Sequence, residues 1–379
     1  MRRAGLTAIL MTMALGCGQT RSGDDPFATG GSAGLDSMGG TSAGQDATTG
    51  ADDGSADAAD DSDGGGGGPK LDVGGGGADG GSPGCVGEDC MGCTSVDLLF
   101  VIDNSGSMGD YQAALALAFV DFADTLDAVL ETGTNVHVGV TSTEMGYSSM
   151  GNTTSNNGVC TFIGDGNQPN DAFYVTPDTA DSGRNGAQGR LYVPPGQDTF
   201  ASYDVGTGGA ALQGLKDWFS AAATIGEGGS NIEMATAPVA WIADPSTAAT
   251  NAGFLRDEGS VLVVFFMQDE PDQTPMTIDG QPAGQFALSR IAGAKAGCGG
   301  LDCVIAGGFL ATNACAADGD LPLDTFTAGV GQPAVVSDLP PENLAEDNPQ
   351  SAADQMNALL SQTLADIIVE TCDEIAPVG

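Results

Sequence analysis

Residues 99–112 read LLFVIDNSGSMGDY, an unbroken apolar run that stops at an aspartate and then places two serines at alternate positions, Asp103, Ser105 and Ser107. One carboxylate and two hydroxyls are hard oxygen donors of the kind that hold Mg²⁺, Mn²⁺ or Ca²⁺. With so few charged ligands, such an ion stays electrophilic enough to accept a further carboxylate from outside. The competing use of these residues is structural, because Asp and Ser favour turns and helix N-caps. The surroundings favour the metal: an apolar strand precedes the motif, an amphipathic helix follows it, and VVFFMQDEPD brings Asp269 to a second strand end. Catalysis by Ser105 would need a base, and the sole histidine, His137, lies in VHVGV, where period-two alternation makes it a strand-face residue. No Gly-rich phosphate loop with lysine is present. Binding rather than turnover is therefore expected, with a metal-dependent hydrolase as the weaker alternative.

The elements that must position these residues are legible as periodicities. The run at 96–102 has the continuous apolar character of a strand buried on both faces. Tyr111, Leu115, Ala118, Phe122, Leu126 and Val129 recur at helical steps over about 109–131. Further strands are expected from Asn135 (NVHVGVTST), Ser260 (SVLVVFFMQ) and Leu301 (LDCVIAGGF), and helices at about 209–223, 231–242, 284–296 and 352–369. Strands alternating with helices define an α/β class with a doubly wound, mostly parallel sheet. In such a sheet the loops leaving the carboxyl ends of the strands gather at one edge, where Asp103 would stand with Gly106 and Gly109 easing the turn. Glu144, at the end of the second strand, and Glu270 are candidates for the rim or a secondary ion. Asp272 is a further rim charge. The stretch 145–208, rich in Asn, Gly, Asp and Pro, reads as a long insertion pinned by Cys160.

The DxSxS pattern behind an apolar strand resembles the metal-ion-dependent adhesion site of von Willebrand factor type A domains, and the resemblance covers residues 94 to about 372. NAGFLRDEGSVLVVFFMQDEPDQ is also similar to a subgroup of these domains on bacterial surface lipoproteins. The resemblance implies a Rossmann-like fold and a site completed by two later loops. In GEGGSNIEM, Ser230 stands where the family has threonine, and Asp269 matches its strand-end aspartate, with Gln268-Asp269-Glu270 in place of the common Thr-Asp-Gly. It further implies that an ion held by Asp103, Ser105, Ser107, Ser230 and Asp269 grips an exposed carboxylate of a protein partner. The alternative is a structural surface lipoprotein with an empty or degenerate site.

Composition sets the setting. With 51 acidic residues against 10 basic ones, a formal charge of −41, the chain has almost no lysines or arginines to cluster on phosphates, which argues against nucleic acid as a partner. Arg2 and Arg3, an apolar stretch at 4–15 and a small-residue site ending in Cys17 form an export signal too short to span a bilayer. It resembles a bacterial lipoprotein signal, which implies removal of 1–16, a lipid on Cys17 and anchorage in the cell envelope; Gly18 points to the outer membrane or cell surface. Residues 17–84 read as a flexible acidic Gly/Ser/Asp linker. Its 12 aspartates give it the means to plug the metal site from within the same chain. A Cys-rich entry segment, 85–93, leads into the domain at 94–379. Export makes Cys85, Cys90, Cys93, Cys160, Cys298, Cys303, Cys315 and Cys372 candidates for disulfides, with the pairing open. The CxxC spacing of Cys90 and Cys93 lacks a second CxxC or a histidine cluster and reads as bridging rather than zinc binding.

Overall fold

The apolar run at 96–102 becomes a strand because both of its faces find cover. In the computed structural model Val96, Leu98, Phe100 and Ile102 enter one core while Leu99 and Val101 enter a second one on the opposite face. The structure describes residues 93–145, 153–156, 160–163, 185–229, 233–275, 277–310 and 322–375, all within Ala78–Gly379. The expected signal, linker and most of the entry segment lie outside the described residues. So do Cys17, Cys85, Cys90, Cys315, Ser230 and the side chain of Cys160.

In chain order the elements are β1 (Ser95–Ile102), α1 (Gly109–Val129), β2 (Asn135–Ser142), β3 (Thr153–Asn156), β4 (Cys160–Ile163), β5 (Ala201–Asp204), α2 (Gly209–Ala223), α3 (Thr236–Ile242), β6 (Ser260–Gln268), β7 (Thr277–Ile278), β8 (Gln281–Pro282), α4 (Ala283–Ala294), β9 (Val304–Leu310), α5 (Pro322–Gly329), β10 (Val335–Asp338), α6 (Glu342–Asp347), α7 (Pro349–Leu359) and α8 (Ala365–Glu374). Six strands form the central sheet in the order β10-β9-β6-β1-β2-β5, and β3-β4 and β7-β8 pair as two small hairpins. Every pairing in the central sheet is parallel except that of β2 with the edge strand β5. The class is thus α/β with a doubly wound, mostly parallel sheet, as the alternation of elements predicts. From β1 the chain winds out through β2 to β5, then returns to β6 on the other side of β1 and winds out to β10. The strand order reverses between β1 and β6, which is where open α/β sheets bind ligands.

One face of the sheet is covered by α1, α2, α7 and α8, the other by α3, α4 and α5. Phe100 of β1 meets Phe119 of α1 at 5.9 Å and Phe219 of α2 at 4.6 Å between ring centroids, and the two helical rings stack at 3.7 Å. This aromatic contact seats α1 and α2 against β1 and so fixes where α1 begins. At the amino-terminal end of the sheet Asp97, fully buried within the apolar run, accepts bonds from Arg256 Nε at 2.7 Å, the Arg256 amide at 2.9 Å and Ser260 Oγ at 3.0 Å.

Several boundaries differ from the sequence reading. The strand expected from Leu301 begins at Val304, because Gly300–Cys303 close a 3₁₀ turn. The helix expected at 231–242 begins at Thr236. The one expected at 352–369 is two helices, joined by a π turn at Leu360–Leu364. The stretch 145–208 is not wholly an insertion, since β5 inside it is the sheet's edge. Ala201 and Tyr203 point inward and Ser202 and Asp204 outward, an alternation too short to stand out in sequence. Cys93 pairs with Cys372, not with its CxxC neighbour, and Cys298 pairs with Cys303.

Candidate metal centre

Parallel register brings the ends of β1, β2 and β6 level, with Ile102 opposite Ser142 on one side and Met267 on the other. The Asp103 amide still donates to the Met267 carbonyl at 2.8 Å, so the chain leaves the sheet only after Asp103 has been fixed beside β6. Asp103 Oδ1 then accepts the Ser105 amide at 2.8 Å and closes the turn. Ser105 Oγ lies 3.4 Å from Ser107 Oγ, and Ser107 Oγ donates to Asp269 Oδ2 at 2.5 Å. These hydroxyls are not helix caps: the cap of α1 is Met108, with no side-chain cap bond. Asp103, Ser105, Ser107 and Asp269, separated by up to 166 positions in sequence, are thus brought together.

A second loop, between α2 and α3, is tied to the first by a residue not singled out in the sequence. Gln112, in the first turn of α1, donates from Nε2 to the carbonyls of Asp103 (3.0 Å) and Gly226 (2.9 Å) and accepts the Gly226 amide at 3.1 Å. The Gly229 amide donates to the Asn104 carbonyl at 2.9 Å. A Cβ on Gly229 would lie 2.5 Å from Asn104 Oδ1 and 2.8 Å from its carbonyl oxygen, so this close approach requires glycine. Gly106 and Gly109, expected to ease the turn, are less constrained. Gly106 faces open space and Gly109 only the movable carboxylate of Glu227.

The same loop carries Glu233, also missed. Its side chain is buried, and its backbone is held from two sides. The Glu233 amide donates to Gln273 Oε1 (2.9 Å), the Gln273 amide donates to the Glu233 carbonyl (2.7 Å), and the neighbouring Met234 amide donates to Thr143 beyond β2 (3.0 Å). Asp272, read from sequence as a rim charge, is buried instead. It accepts bonds from the Ala235 amide (2.9 Å), Thr236 Oγ1 (2.5 Å), the Thr274 amide (3.0 Å) and Thr274 Oγ1 (2.7 Å), which fastens the start of α3 to the loop after β6. Ala235 is the cap of α3.

Asp103, Glu233 and Glu270 each offer a carboxylate oxygen within 4.8 Å of the others. Asp103 and Glu233 are buried and Glu270 is exposed. Among the described residues no lysine or arginine pairs with any of them. Burial pushes the Asp103 carboxyl up to about 7; the Ser105 amide opposes the shift, and the charges of Asp269 and Glu270 add to it. Glu233 is pushed up to about 11, by burial first, then by the facing Glu270 carboxyl and the charge of Asp103. The buried side-chain oxygens that find no donor among the described residues are Asp103 Oδ2, both oxygens of Glu233, Gln268 Oε1 and Asp269 Oδ1. All of them belong to the strand end and loops at this one edge. Oxygen acceptors crowded together with no donor and no compensating charge are the donor set a hard divalent cation fits.

Glu144 proves buried, with its carbonyl accepting the Gln188 amide at 2.6 Å, and it lies outside the acidic group formed by Asp103, Glu233 and Glu270. His137 stays on β2, with Nδ1 3.0 Å from the Phe254 carbonyl and its pKa lowered by burial. It pairs in register with Asp97, about 20 Å along β1 from Asp103, and so cannot serve Ser105 as a base.

The fold and this edge together define a doubly wound α/β domain with an oxygen-rich, acidic cradle at its switch point. No protein-family model matches the sequence, and no curated protein is similar to it. Among solved structures, the von Willebrand factor type A protein from Catenulispora acidiphila is a neighbour at 13% identity and a TM-score of 0.31, over 69% of this chain and 42% of that one. The proximal thread matrix protein 1 of the mussel byssus is another, at 10% identity and a TM-score of 0.33, over 72% of this chain and 50% of that one. The chain therefore spans half or less of the length of these two proteins. The fold itself is defined by strand order and register.

Proposed function

We propose that this chain is a von Willebrand factor type A-like binding module that holds a divalent cation at the carboxyl edge of its sheet. In this reading it is displayed from the bacterial cell envelope by a lipid on Cys17. Asp103, Ser105, Ser107, Ser230 and Asp269 would hold the ion, and bound Mg²⁺, Mn²⁺ or Ca²⁺ would supply a positive centre for a carboxylate of a protein partner. The observation that carries the reading is the convergence of every donor-less buried side-chain oxygen of the described residues on one edge. Gln112 and Gly229 hold the first two loops in that arrangement, and Asp272 holds the third. Two disulfides support an oxidising compartment and hence export. Among the described residues no helix is long and apolar enough to cross a membrane, and the tether in this reading is the lipid.

The test is thermal melting of the chain with Ca²⁺, Mg²⁺, Mn²⁺ or chelator, beside Asp103→Asn. An ion at 100 times its Kd adds about 2.7 kcal/mol, a shift easily seen in the wild type and absent from the variant. Identical melting of both proteins in every buffer would leave the structural reading, with an empty site, as the better account.

A further inference from the structure

The sequence reading leaves the ion with few charged ligands and an open position for an outside carboxylate. The structure places two more carboxylates there. Glu233 is 1% exposed, and neither of its oxygens finds a donor among the described residues. Burying a carboxylate in that state is costly, and the fold holds it there from both sides of its backbone through Gln273 and Thr143. Glu270 completes the group within 4.8 Å, from an exposed position on the loop after β6.

We infer that Glu233 and Glu270 are this chain's own ligands to the cation, so that at rest the site is closed by its own carboxylates and Glu270 is the group a partner must displace. The inference rests on the cation reading above and specifies how that site is regulated. Asp103, Asp269, Glu233 and Glu270 bring four formal negative charges to an ion carrying two, and a fifth carboxylate meets net repulsion unless one of them leaves. Glu233 is buried and its backbone is clamped. Glu270 is exposed to solvent, so it is the one of these carboxylates with room to leave. The same count selects the ion, since Ca²⁺ accepts 6–8 oxygens in flexible geometry whereas Mg²⁺ is usually held by one or two protein carboxylates and water. It also makes the aspartate-rich linker unnecessary as a plug.

The test uses Ca²⁺ titration and Tb³⁺ luminescence lifetimes in H₂O and D₂O, which count the waters on a calcium-sized ion, applied to the full chain. Expected are tighter binding of Ca²⁺ than of Mg²⁺, a loss of at least about tenfold in Ca²⁺ affinity in Glu233→Gln, and about one extra bound water with weaker affinity in Glu270→Ala. Because Glu270 is exposed, its variant folds whatever becomes of the buried one. Unchanged affinity in Glu233→Gln, or unchanged hydration in Glu270→Ala, while Asp103→Asn abolishes binding, would overturn the inference and leave the cation reading standing. No binding of Ca²⁺ or Tb³⁺ by the wild type would remove both.

Discussion

Asp103 and Glu233 are carboxyls that the fold buries without a donor for their remaining oxygens, so each destabilises the cation-free protein. This gives a prediction with opposite signs in two buffers. In chelator, Asp103→Asn and Glu233→Gln melt at or above the wild-type temperature, because a buried acid has been neutralised. In millimolar Ca²⁺ the order reverses, because only the wild type gains binding energy. A second residue-scale prediction concerns Lys295, which is fully buried with Nζ donating to the Arg256 carbonyl. Burial lowers its pKa from 10.5 to about 8. Between those values the unfolded chain holds a proton that the folded one has lost, so this group's penalty is full below pH 8 and is relieved as pH rises. Relative to Lys295→Met, the wild type should gain stability towards pH 10 by at most about 1.4 kcal/mol per pH unit. A gap between the two proteins that does not vary with pH would contradict this.

At the scale of elements, the acidic edge exists because three loops are tied to one another rather than merely close. The tie between the first two is Gln112 and the glycine at 229; between the second and third it is Asp272 with Gln273. Gly229→Ala forces a Cβ into Asn104 and should separate the first two loops, lowering cation affinity with only a modest effect on global stability. Asp272→Ala leaves the Ala235 and Thr274 amides and two threonine hydroxyls without their acceptor and should cost about 1–3 kcal/mol in a denaturant titration. It should also weaken Ca²⁺ binding, although Asp272 has its own four bonds and stands outside the acidic group. Wild-type affinity in Asp272→Ala would show that the clamp serves folding alone.

Across the whole molecule the longest-range constraint is covalent. Cys93–Cys372 ties the start of the domain to its last helix across 279 positions, while Cys298–Cys303 spans five. Loop-closure entropy grows with the logarithm of that separation, which puts the first bridge at roughly 5–6 kcal/mol and the second at about 2 kcal/mol in the same approximation. Removing both cysteines of the long bridge should therefore lower the melting temperature far more than removing both of the short one. Equal losses would mean that native contacts, not chain entropy, set the value of each bridge.

Strands buried on both faces announce themselves locally, because the runs Leu98–Ile102 of β1 and Val261–Met267 of β6 are apolar whichever way each residue points. That is why the parallel core, α1 and the convergence of Asp103, Ser105, Ser107 and Asp269 were legible from the chain alone. β5 and β10 were not, since four-residue edge strands carry too short a pattern to rise above the surrounding loop. Glu233 was hidden for another reason. In GGSNIEM it looks like one more acid of a helical stretch, and only the late start of α3 and the clamp from Gln273 and Asp272 place it beside Asp103. Asp272 was misread for the converse reason, because an acid among acids looks solvated until the fold supplies four donors. Sequence determined what periodicity and residue type encode within one element: the class of the sheet, the strand ends and the hard-oxygen chemistry of DxSxS. Tertiary structure alone decided what depends on approach between distant segments, namely which acids share the edge, which carboxylate is buried and which exposed, and which cysteines pair.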